Sequence, residues 1–238
     1  MFTCFKPQIG AALLLAVISW TGVSTTQAAF VEPTSWTRGT GGATYQEWDV
    51  FDGYPTDTTP DIGNVNANGT ASLTETTGQA FLTSGGNVYS FAVPTFFEVT
   101  IPELDVPSPA HNVTAIVQVK TQGTELDYSS LKLNGADPVD SAELSRVSLG
   151  GFGGNAVESW FLFNLPYAEF GTGSPGLVDL LLTFNATGSS MSLDRLSIDT
   201  SLMPFGFFSE PNPVAVPEPA SAVLLALGML MVARRRRR

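Results

Sequence analysis

The chain has 238 residues, 22 acidic against 11 basic, with one His, one Cys and a net charge of −11 at neutral pH. A lone Cys excludes an internal disulfide framework and any multi-Cys zinc site. The acidic balance excludes nucleic acid as a natural partner, because phosphate binding draws on basic charge. A hydrophobic content of 43% fits a globular core rather than a disordered chain.

Residues 1–28 read as a secretory signal peptide. Lys6 and the amino terminus precede a 12-residue apolar run, Ile9 to Trp20. That length suits the core of a signal and falls short of the roughly 20 residues of a membrane span. Thr26-Gln27-Ala28 then offers Thr at −3 and Ala at −1, so signal peptidase is expected to cut before Ala29. Cys4 lies upstream of the apolar run and leaves with it.

Residues 29–203 read as one all-β domain, an antiparallel β-sandwich of jelly-roll-like or immunoglobulin-like type. The segment from Ala29 to about Thr44 is expected to be flexible or to lie at an edge. Beyond it, β-prone runs separated by Gly, Pro, Asn and Asp recur every 8–15 residues: 45–51, 71–76, 88–93, 96–101, 113–121, 156–163, 178–186 and 191–199. Val113, Ala115, Val117 and Val119 share one face by period two. The last run breaks step between Leu193 and Leu196, which predicts a bulge or an end effect there. No central window shows a helical stripe.

The first strand offers a candidate glycan platform. Tyr45 and Glu47 fall on one face and Trp48 on the other; with Trp48 buried, the Tyr45 face is expected to be exposed, where a ring can stack on a sugar. Trp160, among Phe161, Leu162 and Phe163, is expected in the core. A candidate calcium loop follows at Asp57, Asp61, Asn64, Asn66 and Asn68, oxygen-bearing side chains at alternating positions before Gly69. Calcium favours many oxygen ligands, although Asn replaces the usual acids and a bidentate Glu is missing. A plain Asn-rich turn is the competing account, and no other cofactor is implied.

Enzyme chemistry has few candidates. With Cys4 gone there is no thiol nucleophile, and His111, the one imidazole, lacks a nucleophile elbow. The remaining route is glycoside hydrolysis by paired carboxylates, for which Glu158 and Asp194 are nominal candidates. Scattered Thr residues lack the regular array of an ice-binding face.

Residues 204–215 form a Pro-rich linker. The tail, 216–238, has three parts: the triplet Pro217-Glu218-Pro219, an apolar segment within 220–233, and the run Arg234, Arg235, Arg236, Arg237 and Arg238. Fourteen helical residues cover about 21 Å, short of a ~30 Å hydrocarbon core, and the Arg run stays cytoplasmic. In order, spacing and position this tail resembles the PEP-CTERM sorting signal of Gram-negative bacteria, also catalogued as an ice-binding protein C-terminal domain. The resemblance implies an exosortase as partner, a membrane-embedded Cys protease or transpeptidase acting near the triplet. It also implies a passing stay in the inner membrane and delivery to the cell surface or extracellular matrix, beside exopolysaccharide.

With both ends set aside, residues 29–216 hold five basic and 21 acidic residues, a net charge of about −16. Such a domain stays soluble and repels anionic surfaces. The sequence therefore predicts a non-enzymatic matrix protein, structural or glycan-associated, the alternative being a secreted carbohydrate-active hydrolase.

Overall fold

The computed structural model describes residues 30–65, 69–104, 111–150, 153–166, 178–204 and 213. The signal, almost all of the linker and the sorting tail with its expected membrane helix lie outside the described residues. Among the described residues twelve strands make up nearly all the regular structure: β1 (Ala43–Trp48), β2 (Ile62–Val65), β3 (Ser72–Glu75), β4 (Phe81–Leu82), β5 (Val88–Tyr89), β6 (Phe96–Leu104), β7 (His111–Gly123), β8 (Lys132–Leu133), β9 (Asp140–Ser148), β10 (Asn155–Pro166), β11 (Val178–Asn185) and β12 (Met191–Pro204). One 3₁₀ turn, Tyr128–Ser130, is capped by the Asp127 side chain. Among the described residues no helix is long and apolar enough to cross a membrane.

The strands form two antiparallel sheets. The larger runs β2-β1-β12-β7-β10-β9, with the β4–β5 hairpin added beside β12; the smaller runs β3-β6-β11-β8. From β6 onward the chain crosses repeatedly between the sheets, so strands adjacent in space are mostly distant in sequence. Side chains of both sheets meet in one core that includes Val113, Ala115, Val117, Val119, Phe161, Phe163, Leu196 and Ile198 from one side, and Phe97, Val99, Ile101, Leu180, Leu182 and Phe184 from the other. Phe97 and Phe184, paired across β6 and β11, stack at 5.1 Å. The result is a β-sandwich-like, all-β fold.

All eight expected strands are present, and the expected bulge falls between Leu193 and Arg195. Asp194 is the extra residue, and its insertion lets Leu193, Leu196 and Ile198 all point into the core. Four strands, β2, β4, β8 and β9, have no counterpart in the sequence reading, and the longest of them is β9. It is an edge strand, mostly half-buried or exposed, and its polar composition carries no apolar alternation.

Arg146 anchors that edge strand by bonding both Glu125 and Glu143. The Arg146 hydrogen bond holds the Glu125 carboxyl below its ordinary value of 4.5. A depressed carboxylate contributes stability above its unfolded pKa and loses it as pH falls through the folded one. All three side chains are more than a third exposed, so solvent screening keeps the effect small. Arg146→Ala is expected to destabilise the domain only slightly at pH 7, and the difference should disappear below the Glu titration range in urea unfolding followed against pH.

The sheets differ in how they face solvent. The smaller one alternates, with Leu180 buried and Leu181 40% exposed, as an antiparallel sheet with one wet face does. The centre of the larger one is buried on both faces: β1 is covered throughout, and so is nearly all of β7. Its second cover is the N-terminal segment.

A covered ionic layer as candidate functional site

Residues 30–38, part of the segment expected to be flexible or to lie at an edge, form a strap over the outer face of the large sheet. Period two leaves on that face Tyr45 and Glu47 from β1, Arg195, Ser197 and Asp199 from β12, Gln118 and Lys120 from β7, and Glu158 and Trp160 from β10. Where the strap begins, Gln118 clamps its backbone: Val31 N–H donates to Gln118 Oε1 at 2.8 Å, and Gln118 Nε2 donates to the Val31 carbonyl at 2.9 Å. Further along, Trp36 packs on a second apolar cluster of Ile116, Trp160 and Leu162. At its end, Arg38 donates from Nε to Asp199 Oδ1 at 2.6 Å and from Nη2 to Oδ2 at 2.8 Å. Trp160 is buried as expected, but in this outer cluster rather than between the sheets.

The charged groups under the strap are paired in sequence. Arg38 also lies over the Tyr45 ring, 3.5 Å from its centroid. The Tyr45 hydroxyl donates to Glu47, and Glu47 accepts from Arg195, whose Nε lies 2.6 Å from Oε1. The guanidinium of Arg195 in turn lies 4.5 Å from the Phe30 ring centroid. The β12 bulge sets Arg195 opposite Lys120, and Lys120 binds the bulged Asp194 at 2.8 Å. Two cations facing each other across a ladder would repel; Glu47 and Asp194 neutralise them. Burial pushes the Asp199 carboxyl up, against the pull of Arg38, and pushes the Tyr45 phenol up, assisted by its bond to Glu47.

Tyr45 and Glu47 are therefore brought together, but not as an exposed glycan platform. They are 7% and 2% exposed, because the strap covers the face expected to be open. The Tyr45 ring also lies flush against the backbone of β2 at Gly63, whose φ of +84° is left-handed. A Cβ there would collide with the ring in a conformation L-residues avoid. Gly63→Ala is expected to destabilise the domain by about 1–3 kcal/mol and to perturb Tyr45 fluorescence.

Of the candidate calcium loop, Asp57 and Asp61 lie among the described residues. Asp57 accepts from the Thr59 N–H at 3.0 Å and the Thr59 hydroxyl at 2.7 Å, closing its own turn; the hydroxyl bond holds its carboxyl below the usual range. Asp61 turns back to accept from the N–H groups of Asp49 and Val50 at 3.3 and 3.2 Å. Asn66 and Asn68, and the Asn64 side chain, lie outside the described residues. Among the described residues no three His, Cys, Asp or Glu side chains group closely enough to hold a metal ion.

The two carboxylates nominated for hydrolysis lie in the covered layer with Lys120 near both. Asp194 is bound to Lys120, and Glu158, 2% exposed, sits opposite Lys120 in the β7–β10 ladder. Burial pushes the Glu158 carboxyl up. His111 opens β7 opposite Pro204.

The sequence reading missed the roles of Arg38, Lys120, Arg195 and Asp199. The available signal was their position: charges inside alternating apolar strands are seldom buried unless paired. Chemically, the arrangement is a clamp that fixes the strap by hydrogen-bonded ion pairs. Each of the five Lys and Arg among the described residues is ion-paired. No family model, curated protein or solved structure matches the chain.

Proposed function

We propose that this chain is an exported, non-enzymatic surface or matrix protein. In this reading signal peptidase releases it at Ala29, and an exosortase recognises Pro217-Glu218-Pro219 while Arg234 to Arg238 hold the tail on the cytoplasmic side. The domain then serves the extracellular polysaccharide layer of a Gram-negative bacterium as a structural or glycan-associated component. The observation that carries the reading is the three-part tail, with its triplet, short apolar segment and Arg run in fixed order.

The folded domain supports it in two ways. Among the described residues the strap is anchored through Phe30 and Val31, so residues close behind the expected cleavage point belong to the folded domain. With every described cation engaged by a carboxylate, unpaired surface charge is acidic, which suits a soluble cargo and disfavours adhesion to anionic membranes. The crossing of the chain between sheets favours the jelly-roll-like form of the sandwich. The hydrolase alternative needs two carboxylates facing each other across an accessible groove; Glu158 under the strap does not favour it.

The intact mass and both termini of protein recovered from the outer surface of its native host test the reading. A species beginning at Ala29 and ending near Pro217, without the Arg run, is expected. A species that keeps Arg234 to Arg238 and stays in the inner membrane overturns it.

A further inference from the structure

We infer that Glu158 is a proton-operated latch on the strap: its carboxyl keeps the strap seated while it carries a proton and loosens it when the proton leaves. The inference concerns the described domain and does not draw on the export reading. Burial, charge and position each support it.

Glu158 is 2% exposed, yet among the described residues its Oε1 has no hydrogen-bond partner, and its Oε2 meets the Ser145 hydroxyl at 3.5 Å, the outer limit of such a bond. An ionised carboxylate held in this way is costly, and taking up a proton removes the charge. The neighbouring charges are engaged elsewhere. From β7 Glu158 faces Lys120, which binds Asp194 at 2.8 Å. From β12 it feels Arg195, which is held by Glu47, and Asp194, which repels it. From β9 its partner is the uncharged Ser145, while Glu143 and Arg146 oppose Ser159 and Val157 on the other face. In the strap, Arg38 is bound to Asp199 and lies beside the exposed Glu32. Three covered cations, Arg38, Lys120 and Arg195, thus stand against four covered anions, Asp199, Asp194, Glu47 and Glu158. A proton on Glu158 brings the layer to neutrality. Burial pushes this carboxyl up from its ordinary value, the direction that retention of the proton requires.

Position connects this group to the strap. Glu158 shares its face of β10 with Trp160, on which Trp36 packs, and it lies diagonal to Gln118, which clamps Val31. An unbalanced anion there draws water toward both anchor points. A carboxyl raised in the folded state contributes stability that is complete below its unfolded pKa and is lost as pH rises through the folded one. Rising pH therefore loosens the strap, and acid seats it.

The test uses the full 238-residue chain in detergent, unsubstituted and as Glu158→Gln, whose amide stands for the protonated acid. Relative to the unsubstituted chain, the melting temperature of Glu158→Gln is expected to rise by roughly 3–5 °C between pH 4 and pH 8. In the unsubstituted chain the Glu158 carboxyl signal, assigned by its absence from the NMR spectrum of the variant, should titrate above the ordinary value of 4.5. The Val31 N–H signal should follow the same midpoint, because Gln118 holds that group. A carboxyl that titrates at or below 4.5, a Val31 signal indifferent to it, or a melting difference that does not change with pH each overturns the latch. None of these outcomes bears on the termini of the exported chain, which test the export reading separately.

Discussion

Arg38→Ala is expected to lower the stability of the domain by about 3 kcal/mol in urea unfolding at pH 7, within the range for breaking a buried pair from one side. The estimate sits at the low end of that range because the Arg38 side chain keeps 20% exposure, while that of Asp199 is fully covered. The loss comes from Asp199, left buried without its two charge-assisted hydrogen bonds, and from Tyr45, which loses the cation over its ring. Removing both charges should hurt less: Arg38→Met with Asp199→Leu leaves nothing charged to strand, and more than half of the loss should return. The pH dependence has a definite sign. Burial raises the folded pKa of Asp199 above 3.8, so protonation favours the folded state and its contribution is lost as pH rises through the folded value. The Arg38→Ala deficit should therefore shrink in acid. A single-variant loss under about 1 kcal/mol, typical of a surface pair, would show that the layer does not secure the strap.

Trp160→Ala should be at least as damaging, costing about 3–5 kcal/mol, the range for removing a large buried aromatic. Trp160 is 1% exposed yet lies outside the main core, held between Trp36 of the strap and its neighbours Ile116 and Leu162. Its loss should be felt first by the strap. Limited trypsin digestion gives the readout, since Arg38 offers a cleavable bond. Under native conditions the variant should be cut after Arg38 while the unsubstituted protein resists. A variant that loses stability but keeps Arg38 protected would place Trp160's role in the sheet alone.

Much of the fold was legible in the sequence. Alternation located the valine face of β7 and the other main strands, and the broken step near Leu193 located the bulge, because both are local signals of period two. Strand β9 carried no such signal, since an edge strand open to water has no need of an apolar face. The candidate site was misread for a related reason. Alternation says that Tyr45 and Trp48 point to opposite sides of a sheet; it does not say which side is covered. With Trp48 assigned to the core, Tyr45 was left to solvent, and only a contact spanning more than 150 residues, Arg38 to Asp199, shows that both sides are closed. For the calcium loop the signal itself is ambiguous. Asp57 and Thr59 form a local turn motif that uses the same residue types as metal ligation.

The placement of β12 sets a constraint in time as well as in space. This last strand lies between β1 and β7 at the middle of the large sheet and pairs with both along most of their lengths. The first and last thirds of the domain thus share one ladder, and that ladder cannot form while the chain is still short. Non-local pairing of this kind folds slowly, because loop closure must precede any gain from contacts. A chain moving across a membrane from its N-terminus would expose β1 and β7 as unmatched edges until residue 204 had followed them. On the export reading proposed above, assembly of the sheet comes after transport, and a truncation within β12 would yield an open, aggregation-prone chain rather than a smaller domain.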